Sequence, residues 1–290
     1  MDLLEELEST IVPGDGAMGT MLMDAGVQVG NCFEELCVTR PDLIASIHER
    51  YIKAGARVIR TNSFGANAAR LEKFGFTKRV NEFNWTAAQL AKQSAHGKNV
   101  FVAGSVGPLG LTGTQAAALG INRAELFREQ IGALLDGGAG LIFFETFTDL
   151  EELAIALNEK QSLHHCPAIC SMACRDDGQL PTGKSVGEAL EKLKLKGADV
   201  TGLNCVDCST MLRLSQRFPE VLSAYPSAGL PRRANDGSLY YELSPDDFVR
   251  SAIDLVTAGA RLLGGCCGTT PEHIAAMAEA FKTSPPLAKK

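Results

Sequence analysis

Eight times along the chain, a short apolar run ends in a Gly-rich or polar turn and is followed by a stretch patterned for a helix. No other feature constrains the fold as much. The apolar runs lie at 10–14, 57–61, 100–104, 140–144, 167–172, 199–203, 221–225 and 261–264. Most are continuously apolar, as strands buried on both faces must be. Strand and helix alternating at a spacing of roughly 30 residues predict parallel strands joined by helical crossovers. Eight such units fit a single-domain α/β fold, the (β/α)8 TIM barrel, which needs about 250 residues. The chain has 290. The rival is an open doubly wound sheet, but no Gly-x-Gly-x-x-Gly turn follows the first strand. This reading gives residues 1–282 to the barrel and 283–290 to a C-terminal tail.

Helix signals follow the strands in register. Pro41 and Pro245 stand at first-turn positions, the latter after a capping Ser244. Thr148 with Glu151 reads as a capping box. Helices are expected over 78–94, 123–136, 185–195 and 209–217, and a longer loop over 232–243.

Composition narrows the function. The net charge is -6 and no basic run occurs, so the footprint of a nucleic-acid binder is missing. The acidic start MDLLEELEST lacks the order of a secretory signal. No stretch of about 18 apolar residues predicts a membrane span. A cytoplasmic protein is expected. Nine cysteines, an odd number, then point to a reducing compartment, where clustered thiols more often mean metal or catalysis than disulfides. Cys32, Cys37, Cys166, Cys170 and Cys174 read as small buried hydrophobes.

The chemistry-bearing residues fall at strand ends, where TIM barrels carry their active sites. Cys266 and Cys267 follow the eighth strand between glycines, and Cys205 ends the sixth. In a glycine-permissive turn both vicinal thiols can face one centre. Three thiolates with an open fourth position form a catalytic rather than a closed zinc site. A thiol bound there is deprotonated at neutral pH, whereas a free thiol near pKa 8.5 is only a few per cent thiolate. Other readings stand beside this one: a disulfide or packed thiols at Cys266-Cys267, or a redox or zinc-knuckle pair at Cys205-x-x-Cys208. Cys208 is expected at the start of the next helix, off the metal. Asp15 and Glu145 close the first and fourth strands, where acids can hold a substrate ammonium or serve as capping, turn or solvated surface residues. The turn Asp15–Thr20 offers backbone N–H groups for a carboxylate. His48, His164, His165 and His273 show no metal spacing, and His273 reads as a surface residue.

Asp15-Gly16-Ala17-Met18-Gly19-Thr20, Thr61-Asn62-Ser63-Phe64, Gly104-Ser105-Val106-Gly107-Pro108, Glu145-Thr146, Gly202-Leu203-Asn204-Cys205 and Gly264-Gly265-Cys266-Cys267-Gly268 together resemble the homocysteine S-methyltransferase family. The resemblance implies a (β/α)8 barrel and a Zn2+ held by Cys205, Cys266 and Cys267. It implies homocysteine bound near Asp15, Ala17, Met18, Asn62, Ser63 and Glu145, with Asn204 beside the metal. The implied reaction methylates the homocysteine thiolate to methionine. Betaine-using members carry aromatic residues where Gly65 and Ala66 follow Phe64. The Thr-Asn-Ser-Phe-Gly-Ala-Asn stretch is more similar to methionine-synthase modules and to two-domain enzymes joined to a folate reductase. The expected donor is therefore linked to methylcorrinoid or methyltetrahydrofolate, with cobalamin or folate on a separate partner protein, or the chain is an excised module of a longer enzyme. A sulfonium donor (S-methylmethionine or S-adenosylmethionine), a different thiol or selenol acceptor, and a non-catalytic module docking a corrinoid partner are the alternatives.

Overall fold

The computed structural model describes residues 2–229, 232–233 and 239–282. The expected tail, 283–290, lies outside the described residues. Eight parallel strands follow one another in the sheet: β1 (Val12–Pro13), β2 (Val58–Arg60), β3 (Phe101–Val106), β4 (Leu141–Phe147), β5 (Ala168–Met172), β6 (Val200–Asp207), β7 (Ser223–Ser227) and β8 (Leu262–Leu263). β8 pairs with β1, and the last seam closes through a Gly14–Val58 bridge. Arg57 N donates to Pro13 O at 2.7 Å and Asp15 N to Val58 O at 2.9 Å across that seam. The sheet is thus a closed barrel, and the open-sheet alternative falls.

Strand alternation sorts the core into two layers. Val12, Val58, Leu141, Phe143, Ile169, Val200 and Leu262 fill the barrel interior with Tyr225. Ile59, Ile142, Phe144, Cys170 and Leu203 face the helices. The helices expected from the sequence appear at Val80–Ala95, Arg123–Asp136, Val186–Leu195 and Cys208–Arg217. The Thr148–Glu151 capping box does not form. Asp149 caps the helix instead, its carboxylate accepting from Glu151 N at 2.9 Å, because β4 runs on to Phe147 and starts the helix one residue later. Within the expected long loop, Arg232–Arg233 pairs antiparallel with Leu239–Tyr240, so that segment carries a hairpin. No helix among the described residues is long and apolar enough to cross a membrane.

His48 carries a pH-dependent cost. It lies on the buried face of helix Pro41–Lys53 with Ile44, Ile47 and Tyr51. Neither ring nitrogen has a hydrogen-bond partner among the described residues. Burial lowers its pKa from 6.5 to about 4. The unfolded chain therefore takes the proton first, and acidification across that window favours unfolding. Between pH 7.5 and 4.5 this term removes about 2.5 kcal/mol. A His48→Leu variant should lose correspondingly less stability over the same range, measured by denaturant unfolding. Equal losses in the two proteins would refute the assignment.

Candidate metal and substrate site

The C-terminal strand ends surround a cavity of about 420 Å3 lined by Asp15, Ala17, Met18, Arg60, Asn62, Ser63, Glu145 and the three cysteines, among others. Two β-bulges shape its wall. Between Phe144 and Phe147, β4 sets three steps against two on β5, and β6 does the same between Asn204 and Asp207 against β7. Each bulge adds one residue, which breaks the in–out alternation. Thr146 (φ 62°) and Cys205 (φ 59°) are the two residues other than glycine in the left-handed region among those described. As a result two consecutive residues on each strand, Glu145-Thr146 and Asn204-Cys205, address the same interior. Regular pleating would have turned Cys205 outward. Asn204 locks the bulges together across β5. Its Oδ1 accepts from Thr146 N and its Nδ2 donates to Thr146 Oγ1, both at 2.7 Å.

Cys266 and Cys267 sit beyond β8 in a tight turn. Thr269 N donates to Cys266 O at 3.1 Å, and Gly268 between them has φ 81°. A side chain there would be strained and would also collide with the Tyr241 ring, so the turn requires glycine. Cys266 N donates to Pro226 O and Ala228 N to Cys267 O, both at 2.8 Å, which pins the turn to the end of β7.

These constraints bring three sulfurs together: Cys266 to Cys205 at 3.1 Å, Cys205 to Cys267 at 3.7 Å and Cys266 to Cys267 at 4.0 Å. Tetrahedral thiolates on zinc stand about 3.8 Å apart, from a Zn–S distance of about 2.3 Å. Two of the three spacings match, and the third needs a shift of well under 1 Å. Among the described residues this is the one group of three or more Cys, His or acidic side chains close enough to share a metal ion. The residues present fit a zinc ion with one open position. Hydrogen bonds from Cys205 and Cys266 lower the Cys267 thiol, while Cys205 and Cys266 are themselves raised, so the cluster by itself holds one thiolate shared with two thiols. Cys208, the start of its helix as expected, stands apart with its thiol on Ser227 O at 3.8 Å. Burial raises the thiols of Cys32, Cys37, Cys166 and Cys170, in keeping with inert core positions, whereas Cys174 is only half-buried.

The residue that sequence reasoning missed is Arg60. Its strand alternates regularly, so Arg60 points inward above Val58 and lies almost wholly buried. Nε donates to Asp15 Oδ1 at 2.8 Å and Nη1 to Glu145 Oε2 at 2.7 Å. Nη2 donates to Gly265 O at 2.9 Å and Gly16 O at 3.1 Å. The guanidinium stands 4.5 Å from the Tyr225 ring centre. Glu145 Oε1 accepts from Ser105 Oγ at 2.5 Å, and Asp15 Oδ2 from Arg60 N at 2.7 Å. Burial still pushes the Asp15 carboxyl up to about 6 and raises Glu145. An arginine at the C-terminal end of a strand, where barrel sites lie, was the signal available.

Asn62 and Ser63 line the cavity, and Asn62 Nδ2 and Ser63 Oγ are engaged by the scaffold. Asn62 Nδ2 donates to Phe33 O at 2.7 Å and Ser63 Oγ to Ser105 O at 2.8 Å. Ala17 and Met18 open a helix (Met18–Asp24) where the sequence suggested only a turn. His273 is buried, not on the surface. One ring nitrogen reaches Leu243 O at 2.8 Å and the other meets Thr270, tying the hairpin segment to the last helix. Tyr241, from that segment, overhangs the cysteines as part of the cavity wall.

The sequence profile of the homocysteine S-methyltransferase family matches residues 13–281. The chain belongs to the homocysteine S-methyltransferase family. It is 34% identical to methionine synthase of Mycobacterium leprae (strain TN) and 33% identical to that of Mycobacterium tuberculosis (strain ATCC 25618 / H37Rv), in each case across 96% of the chain. It spans about a quarter of the length of those relatives, 25% in each case. Its fold superposes on the homocysteine methyltransferase MmuM from Escherichia coli, metallated form, with a TM-score of 0.76 and 26% identity. That match covers 93% of this chain and 96% of the other. The oxidised form of the same protein matches with a TM-score of 0.76, 25% identity and coverage of 96% and 97%.

Proposed function

We propose that the chain methylates the thiol of homocysteine to form methionine, with zinc held by Cys205, Cys266 and Cys267. The convergence of three thiols beside two buried carboxylates in one cavity carries this reading. A zinc ion bound there supplies a Lewis acid that keeps a substrate thiol ionised at neutral pH. The protein's own residues do the rest. Asp15 and Glu145 together carry two negative charges against the one positive charge of Arg60. One charge is left for the substrate ammonium. The first N–H groups of helix Met18–Asp24 have no intrahelical partner and border the same cavity, so they suit the substrate carboxylate. The amino-acid end is then fixed at β1 and β4 and the sulfur at β6 and β8. The thiolate attacks the donor's methyl group, whose bonding pair leaves with the donor.

Relatives named methionine synthase, four times longer than the matching region, favour a donor delivered by a corrinoid or methyltetrahydrofolate protein, with cobalamin outside this chain. The likeness to a protein named homocysteine methyltransferase, not methionine synthase, keeps a sulfonium donor as the second reading. One experiment separates them. Homocysteine is offered with methylcobalamin, methyltetrahydrofolate plus a corrinoid protein, betaine, S-methylmethionine and S-adenosylmethionine, and methionine is measured. No methionine from any donor would refute the reaction itself.

Glu145→Gln keeps the shape and removes the spare charge. It is expected to raise KM for homocysteine about ten- to a hundredfold with little change in kcat. An unchanged KM in steady-state kinetics would remove Glu145 from the substrate site.

A further inference from the structure

We propose that Arg60 is the specificity-determining residue of the acceptor pocket: it clamps Asp15 and Glu145 and leaves them one unmatched charge, so the pocket takes thiols bearing one ammonium. This rests on the reading of those carboxylates as the ammonium site. Arg60 reaches from β2 to three other strand ends. It holds Asp15 after β1 and Glu145 on β4, and it holds Gly265, the residue before Cys266, after β8. One side chain therefore sets the distance between the amino-acid end of the pocket and the sulfur end. Each carboxylate oxygen already accepts one hydrogen bond from Arg60 or Ser105. A carboxylate has about four acceptor sites, so each retains two. Without the guanidinium, two buried carboxylates would share the cavity, and one would take up a proton rather than leave like charges side by side. The net charge would stay at one, but it would sit on a single carboxylate instead of the clamped pair, so the geometry offered to an ammonium would change. Tyr225, Phe143 and the backbone carbonyls of Gly16 and Gly265 surround the guanidinium and hold it in place at the cavity wall.

The test is calorimetric binding to zinc-loaded full chain at pH 6.5 to 9, with zinc content measured in every protein. The probes are homocysteine, 4-mercaptobutanoate, which lacks the ammonium, and 3-mercaptopropylamine, which lacks the carboxylate. The wild type is expected to prefer homocysteine to 4-mercaptobutanoate about ten- to a hundredfold. Arg60→Gln is expected to weaken homocysteine by a similar factor at pH 7, and its affinity should climb with pH as the second carboxylate ionises. Arg60→Lys, which keeps the charge, should recover part of the loss. Wild-type binding of homocysteine with an unchanged affinity and pH profile in Arg60→Gln overturns the inference alone. Failure of the wild type to bind homocysteine overturns the pocket reading and this inference with it. If Arg60→Gln does not fold, the wild-type preference decides, and equal affinity for homocysteine and 4-mercaptobutanoate sinks the proposal.

Discussion

Replacing Cys266 with alanine is expected to cut methyl transfer by a factor on the order of a thousand or more while leaving the barrel folded. Cys266 is the buried member of the trio and stands nearest to Cys205, at 3.1 Å. Its removal leaves two thiols, too few for a three-thiolate site. A substrate thiol near pKa 8.5 would then be about 3% ionised at pH 7, a loss of about thirtyfold from protonation alone. Loss of the fixed position of the sulfur accounts for the remainder. The fold survives because the turn is held by backbone groups, Cys266 N on Pro226 O and Thr269 N on Cys266 O, which alanine retains. Zinc content, circular dichroism and methionine formation check the three parts separately. Full activity in a zinc-free variant would refute the metal's role.

The barrel was legible because its signal is repetitive. Eight apolar runs, each followed by a helical stretch, admit few topologies, and each run need only be placed within a residue or two. Local chemistry was harder where tertiary contacts overrode it. Thr148 and Glu151 have the spacing of a capping box, yet strand pairing of Phe147 with Met172 carries β4 forward and hands the cap to Asp149. The hairpin Arg232–Arg233 with Leu239–Tyr240 is too short to show a period. His273 has a surface residue's sequence context. The return of the chain at Leu243 and the Phe248 ring bury it.

Within the site, the cysteines were legible as a composition of ligands at strand ends, and Asp15 and Glu145 as acids at strand ends. Their relation was not. Arg60 sits 45 residues from Asp15 and 85 from Glu145. Nothing local marks the ion pairs, which exist only because β2 lies beside β1 and the barrel closes toward β4. The same closure explains Gly264. A side chain there would occupy the place of the Tyr225 ring, on which the guanidinium rests.

Asn204 shows how the two bulges and the metal site depend on one another. Asn204→Ala is expected to destabilise the fold by about 3 kcal/mol and to weaken zinc about ten- to a hundredfold. The stability loss follows from the two hydrogen bonds to Thr146, whose backbone N–H and hydroxyl would be left without Asn204 in a buried wall. Left-handed residues such as Thr146 and Cys205 each cost on the order of 1–3 kcal/mol and persist only where their surroundings hold them. Asn204 is that surrounding for Thr146 directly and for Cys205 through the next peptide bond. Its Nδ2 also approaches Cys266 Sγ at 4.0 Å. Without it, both bulges are free to relax toward regular pleating, which would swing Cys205 away from Cys266 and Cys267. Asn204→Asp, which keeps the acceptor for Thr146 N but brings a negative charge beside Cys266, should retain more stability than alanine and still weaken zinc. Denaturant unfolding and competitive zinc titration read the two effects independently. Native zinc affinity in Asn204→Ala would show that Cys205 holds its left-handed conformation without the bridge to β4.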